Sequence, residues 1–202
     1  MGTEKSIVYF EKSGEDNTGE VLKLARRRAE ELGIKDIVVA STHGNTGAKA
    51  SEFFKGYNLV VVSHCAGYKE PGSQELTEEN RRIIEKNGGR ILTCMHTFQG
   101  IERAIRNTFN TAYPIEIMAQ TLKLFGDGTK VVVEVVAMAA DAGLIAVDKD
   151  VIGMGGSHSG ADTALVIKPA NSIRIFDIMI KEIIAKPRGK LSSHHESSVH
   201  SH

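Results

Sequence analysis

Short runs of consecutive apolar residues alternate along the chain with longer stretches in which apolar residues recur at helical spacing. The runs are SIVYF, DIVVAS, NLVVVSH, RILTCMH, VIGMGG and TALVIKP. Between the first two of them, Thr18 to Leu32 shows a helical pattern that Gly33 closes. Because continuous apolar strands separated by helices are typical of parallel sheets covered on both faces, the pattern predicts a three-layer α/β/α fold with a mostly parallel sheet.

Other segments give weaker signals. Short helices are predicted at Ala48 to Phe54, after Thr77, at Ile101 to Phe109 and at Pro114 to Phe125. The segment TKVVVEVVAMAADAGLI is too long for one strand, so we predict a buried helix, in which Glu134 and Asp141 bond neighbouring backbone or a second subunit. It is more apolar than a one-sided helix needs, which is compatible with a homo-oligomer. The segment IFDIMIKEIIAKP is predicted to be a last edge strand, with a helix as the alternative.

The composition limits the expected partners and location. Residues 1–188 are interpreted as one domain, and residues 189–202 as a disordered Ser/His-rich tail because apolar side chains are nearly absent there. Lys plus Arg and Asp plus Glu each total 25, so no nucleic-acid or anionic-membrane partner is expected. No apolar run approaches the ~20 residues that cross a bilayer. Without a secretory signal or a disulfide framework, the expected location is cytoplasmic.

Polar and reactive side chains gather at the ends of the predicted strands. Four of the 8 histidines lie outside the tail, at positions 43, 64, 96 and 158, each at or just after a strand end. Ser41, Thr42, Ser63, Thr97, Ser157, Cys65 and Cys94 lie there as well. Ligands of parallel α/β sheets bind outside the carboxyl ends of the strands, so this pattern predicts a small-molecule pocket. The alternative is that strand ends accept polar residues because they meet water.

The loop STHGNTG connects a strand to a helix in a way that suits an anion. It offers the hydroxyls of Ser41, Thr42 and Thr46 and the free backbone amides of a helix start. A nucleotide-hydrolysing loop needs a lysine directly after its last glycine, whereas Lys49 is displaced by one residue. No Gly-x-Gly-x-x-Gly follows a strand, so the nicotinamide fingerprint is absent too. The loop therefore predicts a phosphate site made of hydroxyls and amides, with a plain helix cap as the alternative.

The order of DIVVASTHGNTGAKASEFF, YNLVVVSH, GGRILTCMHT and VIGMGGSHSGADTALVIKP resembles the C-terminal α/β domain of pyruvate kinase. The chain is still more similar to the stand-alone family of pyruvate kinase C-terminal domain-like proteins, over roughly Ser6 to Arg188. In pyruvate kinase, the resemblance places the phosphate of an allosteric sugar bisphosphate at this loop. In the stand-alone family it places flavin mononucleotide (FMN) there. No segment resembles the catalytic barrel, so phosphotransfer to or from pyruvate is not implied.

The resemblance implies an FMN-binding protein with a redox role through the flavin as one expectation. The residues expected to hold the cofactor are Ser41, Thr42, His43, Gly44, Asn45, Thr46, Gly47, Ser63, His64, His96, Thr97, Gly155, Gly156, Ser157 and Asp162. Asp162 is expected either to accept from a ribityl hydroxyl or to cap its own loop. A second hypothesis is a non-catalytic sensor of a phosphorylated metabolite. A third is a zinc-type site of His43, His64, His96 and a cysteine, but no closely spaced ligand motif supports it, so no metal ligand is assigned.

Overall fold

The computed structural model describes residue 2 and residues 4–189, so the predicted disordered tail lies outside the described residues from position 190 onward. The strands are β1 (Val8–Phe10), β2 (Asp36–Ala40), β3 (Asn58–Ser63), β4 (Arg90–Thr93), β5 (Val151–Gly155), β6 (Thr163–Lys168) and β7 (Met179–Pro187). The α-helices are α1 (Thr18–Leu32), α2 (Asn45–Phe53), α3 (Glu78–Lys86), α4 (Ile101–Phe109), α5 (Pro114–Lys123) and α6 (Asp127–Asp141). Two 3-10 helices span Glu15–Asn17 and Ser172–Asp177.

The strands form one mixed sheet in the order β1-β7-β6-β5-β2-β3-β4. Neighbouring strands are parallel except where β6 pairs with β5 and with β7. The strand order reverses at β2, which pairs with β3 on one side and with β5 on the other. The predicted fold class, a mostly parallel sheet with helices on both faces, is confirmed.

Each face of the sheet has its own apolar core. Successive residues of β2 point to opposite faces, so Ile37 and Val39 join one core while Val38 joins the other. The first core includes α1, α2 and α3, and the second includes α5 and α6. Burial of both faces explains why the strands read as continuous apolar runs rather than as alternating ones.

Helix α6 is the buried helix that the sequence predicts. Most of its residues are buried, and it packs on β2, β5, β6 and α5. Glu134 accepts a hydrogen bond from the Phe98 amide at 3.0 Å, and Asp141 accepts one from the Ser172 amide at 2.9 Å. Contacts within the chain therefore account for the apolar character of α6, which supplies no separate argument for a homo-oligomer.

Some local predictions differ from the structure. Helix α2 begins at Asn45, earlier than predicted, because Gly44 adopts a left-handed φ of 95° and the Ser41 hydroxyl accepts the Gly47 amide at 3.0 Å. The last strand, β7, is not at an edge, since the short β1 pairs along its outer side. Across the described part of the chain, no helix combines the length and the apolar character needed to cross a membrane.

Candidate functional site

The carboxyl ends of β2, β3 and β5 open into one cavity of about 480 Å³. It lies where the strand order reverses, which is the expected place for a ligand in such a sheet. The walls come from the loops that follow these strands and β4, and from α6. The volume falls within the roughly 300–1,000 Å³ that small-molecule sites have.

The cavity brings together most of the residues predicted from the sequence. Its lining includes Ser41, Thr42, His43, Asn45, Thr46, Ser63, His64, His96, Gly156 and Ser157, with His158 beside them. The remaining predicted residues do not line it: Gly44, Gly47, Thr97, Gly155 and Asp162. The ends of β2, β3 and β5 thus share one pocket, and Gly156 is the one predicted glycine on its described lining.

The glycines of the first loop make close packing possible. A Cβ atom on Gly44 would lie 2.5 Å from the Asn80 Cβ and 2.6 Å from the Leu76 Cδ1. A Cβ atom on Gly47 would lie 2.5 Å from a methyl group of Val61. These residues therefore let α2 approach the start of α3 and the sheet, and they are not exposed for direct contact with a ligand.

Asp162 caps the loop between β5 and β6. Its side chain is fully buried, and one oxygen accepts from the Gly14 amide at 3.1 Å and from the amide and hydroxyl of Ser157 at 3.3 and 3.0 Å. The second oxygen accepts from the Thr163 hydroxyl at 2.8 Å. Asp162 therefore caps its own loop, which was the second of the two expectations for this residue. Through these contacts its carboxylate positions Ser157 on the cavity wall.

The loop after β2 ends in backbone donors that have no acceptor among the described residues. The Gly47 amide is bonded to Ser41, and the Ala48 amide to the Gly44 carbonyl at 2.7 Å. Within residues 4–189, no acceptor is bonded to the amides of Asn45 and Thr46, which begin α2 and line the cavity. Free amides at a helix N-terminus, together with the helix dipole, favour an anion. Lys49 is exposed and is not among the residues that line the cavity, whereas Lys69 and Lys130 are.

Thr42, His64 and Glu75 form a hydrogen-bonded row on the cavity lining. The Thr42 hydroxyl lies 3.1 Å from His64 Nε2, and His64 Nδ1 lies 2.7 Å from a Glu75 oxygen. Burial tends to raise the pKa of Glu75, but Lys69 and His64 outweigh it and hold the pKa below its ordinary value. For His64 the effect of burial is the opposite: it lowers the pKa of the imidazole, and the hydrogen bond to Glu75 only partly offsets this. Glu75 is therefore an ionised acceptor, and His64 is a neutral ring that donates from Nδ1 and accepts at Nε2.

A buried group of charges lies behind the cavity. Lys130 and Glu134 of α6 form an ion pair of 2.6 Å, and both are less than a tenth exposed. His96 Nδ1 is 3.7 Å from Glu134, too far for a hydrogen bond, and neither His96 ring nitrogen has a partner among the described residues. Burial tends to raise the pKa of Glu134, but His96 and Lys130 outweigh it and the pKa is lowered. The unpartnered imidazole on the lining is a place where a ligand could complete a hydrogen bond.

The family model described as pyruvate kinase, alpha/beta domain, matches residues 19–167 of the 202-residue chain. The chain belongs to the pyruvate kinase alpha/beta domain family. The matched range of this family domain contains every residue that lines the cavity, whereas β1 and β7, which pair with each other, lie outside it. The resemblance drawn from the sequence is thus confirmed at the level of the family.

Several residues that line the cavity were not predicted from the sequence. They are Tyr68, Lys69, Glu75, Gln99, Lys130 and Glu134. Tyr68, Lys69 and Glu75 lie in the irregular segment between β3 and α3, where no periodicity points to the cavity. For Lys130 and Glu134 a signal existed, because they are two opposite charges spaced by one helical turn in an otherwise apolar helix.

The metal hypothesis finds no geometric support. In the part of the chain that the structure describes, no group of three histidine, cysteine, aspartate or glutamate side chains could hold a metal ion. Cys65 and Cys94 are free and half-buried, and burial raises the pKa of the Cys94 thiol. A raised thiol pKa makes a weak nucleophile, so Cys94 fits a packing role.

Proposed function

We propose that the cavity binds a small molecule through a phosphate group, and that this molecule is FMN. The observation that carries the proposal is that Asn45 and Thr46, whose amides have no acceptor among residues 4–189, begin α2 and line the cavity. Phosphate oxygens would accept from these amides and from the buried Thr46 hydroxyl. The helix dipole would supply the remaining attraction.

The rest of the cavity fits the remainder of a flavin nucleotide. The Tyr68 ring, packed on His64 with centroids 4.0 Å apart, offers an aromatic surface. The partnerless nitrogens of His96 would bond polar atoms of the ligand. Flavin would supply any redox chemistry when bound, while these side chains would hold and orient it. Two free cysteines agree with the expectation of a reducing, cytoplasmic setting.

A second candidate is a sensor that binds a phosphorylated metabolite and catalyses nothing. The polar wall of His43, Lys69 and Glu75 favours it, since hydroxyl-rich ligands need several donors and acceptors. Both candidates use the same loop for phosphate. They differ in the part of the ligand that carries no phosphate.

An absorption spectrum of freshly purified protein, followed by mass spectrometry of what acid releases, separates these candidates. FMN predicts yellow protein with flavin bands and release of the mononucleotide. Colourless protein that releases a sugar phosphate, and that does not take up added FMN, would favour the sensor. Release of riboflavin in place of FMN would contradict a site built around phosphate.

A further inference from the structure

Thr42, His64 and Glu75 place a hydroxyl, an imidazole and a carboxylate in a row. In this order the imidazole can act as the base that activates the hydroxyl as a nucleophile. A carboxylate fixes one imidazole nitrogen at 2.7 Å, and the other nitrogen faces a hydroxyl at 3.1 Å. Such constellations are recognised by geometry and roles and not by position in the sequence. The Glu75 side chain is only 9% exposed, so its hold on His64 is sheltered from water.

We propose that Thr42, His64 and Glu75 form a hydrolytic site for esters of small carboxylic acids, with the Thr42 hydroxyl as nucleophile. The inference goes beyond the proposed function, since it needs no flavin. Thr42 and His64 would be catalytic residues, and Glu75 a positioning residue that acts through His64.

The reaction needs no further co-reactant than water. His64 Nε2 takes the proton of the Thr42 hydroxyl as its oxygen bonds to the ester carbonyl carbon, and the carbon–alkoxide bond then breaks while His64 returns that proton to the leaving alcohol. His64 next takes a proton from water, the resulting hydroxide adds to the acyl carbon, and the Thr42 oxygen leaves with that proton. The products are one carboxylic acid and one alcohol, and no group is oxidised or reduced.

Donors for the developing oxyanion lie in the same loop. The free amides of Asn45 and Thr46 follow Thr42 closely in sequence and line the same cavity. Backbone amides aimed at a carbonyl oxygen that gains charge are the usual stabilisers of acyl transfer. A phosphate ligand would occupy these amides, so FMN and an ester should compete.

The neighbours of His64 support its role as a base. Glu75 bonds it, Tyr68 packs on its ring, and the His96 ring lies 5.3 Å away. Lys69 lies 2.9 Å from the second oxygen of Glu75 and keeps that carboxylate ionised. His43 also approaches Glu75, at 3.6 Å, but its side chain is 55% exposed and bonds no hydroxyl among the described residues.

The test is hydrolysis of p-nitrophenyl acetate by full-length protein without flavin. Thr42→Val and His64→Gln should each lower kcat/KM by roughly 100-fold or more, the range of general-base effects. Thr42→Ser, which keeps the hydroxyl, should retain activity, and so should Thr111→Val at an exposed position outside the cavity lining. Glu75→Gln should shift the acid limb of the pH–rate profile to lower pH, because the carboxylate raises the pKa of His64, and a purely structural residue would not move that limb.

A fluorophosphonate reagent with the wild-type protein gives a second readout that does not depend on any variant folding. It should form one adduct, with loss of fluoride, on the peptide that contains Thr42. The adduct together with the rate losses supports the site, and absence of either overturns it. Because the assay contains no flavin, failure here leaves FMN binding intact, and failure of FMN to bind leaves the hydrolysis result intact.

Discussion

Removing the cation of the buried ion pair should destabilise the protein more than any surface substitution. In Lys130→Met, the Glu134 carboxylate stays 3% exposed and keeps only the Phe98 amide at 3.0 Å and His96 at 3.7 Å. An unpaired charge of this kind costs about 3–5 kcal/mol. For a domain of this size that corresponds to a fall in Tm of roughly 6–20 °C.

Urea unfolding followed by circular dichroism measures the loss. The double variant Lys130→Met/Glu134→Gln should recover much of it, since glutamine is neutral and still accepts from the Phe98 amide. Lys123→Met is the control, because its pair with Asp127 at 3.6 Å is partly exposed and of the kind that contributes ~0–1 kcal/mol. A loss below about 1 kcal/mol for Lys130→Met, or a double variant no more stable than the single one, would refute the reasoning.

The same pair predicts a pH dependence. Because the folded-state pKa of Glu134 is lowered, its ionised form contributes stability above the unfolded value of about 4.3. That contribution is lost as the pH falls through the lower folded pKa. The deficit of Lys130→Met should therefore be largest near neutral pH and shrink in acid. A deficit that is constant from neutral to acid pH would contradict this.

The remaining predictions concern residues outside the cavity lining that cap or pack the elements around it. Thr77→Ala should cost about 0.5–2 kcal/mol in urea unfolding, since the Thr77 hydroxyl caps α3 at the Asn80 amide. Asp162→Asn should cost about 1–3 kcal/mol by the same measurement, because a donor amide replaces an acceptor that holds Ser157. Gly44→Val should lower the melting temperature and not only ligand affinity, since its side chain meets α3 and its φ is positive. An unchanged melting curve for any of these variants would contradict its stated role.

Much of the fold follows from patterns within single segments. Helix α1 ends at Gly33 with φ 68°, as its periodicity and closing glycine indicate. The buried nature of α6 follows from its length and apolar content. The internal position of β7 in the sheet could not be predicted from the sequence, because its neighbour β1 is only three residues long and comes from the other end of the chain. Pairing between distant segments leaves no local signal.

The site residues also fall into those that local patterns predict and those that they do not. His43, His64 and His96 were found because strand ends meet at one edge of a parallel sheet, whatever the path of the loops. Glu75 and Tyr68 were not found, since their approach to His64 depends on the course of the irregular segment before α3. Gly44 and Gly47 were assigned to the ligand, whereas their lack of a side chain serves the packing of α2.

Comparison of FMN with riboflavin tests the central claim most directly. Fluorescence quenching should show that FMN binds much more tightly than riboflavin. Thr46→Val, which keeps the shape of a buried residue but removes its hydroxyl, should weaken FMN by ~1–3 kcal/mol and leave riboflavin unchanged. Lys49→Ala, at an exposed position of the same helix, should matter little. Riboflavin binding as tight as that of FMN, or Lys49→Ala as the most damaging change, would contradict a phosphate site built from hydroxyls and amides.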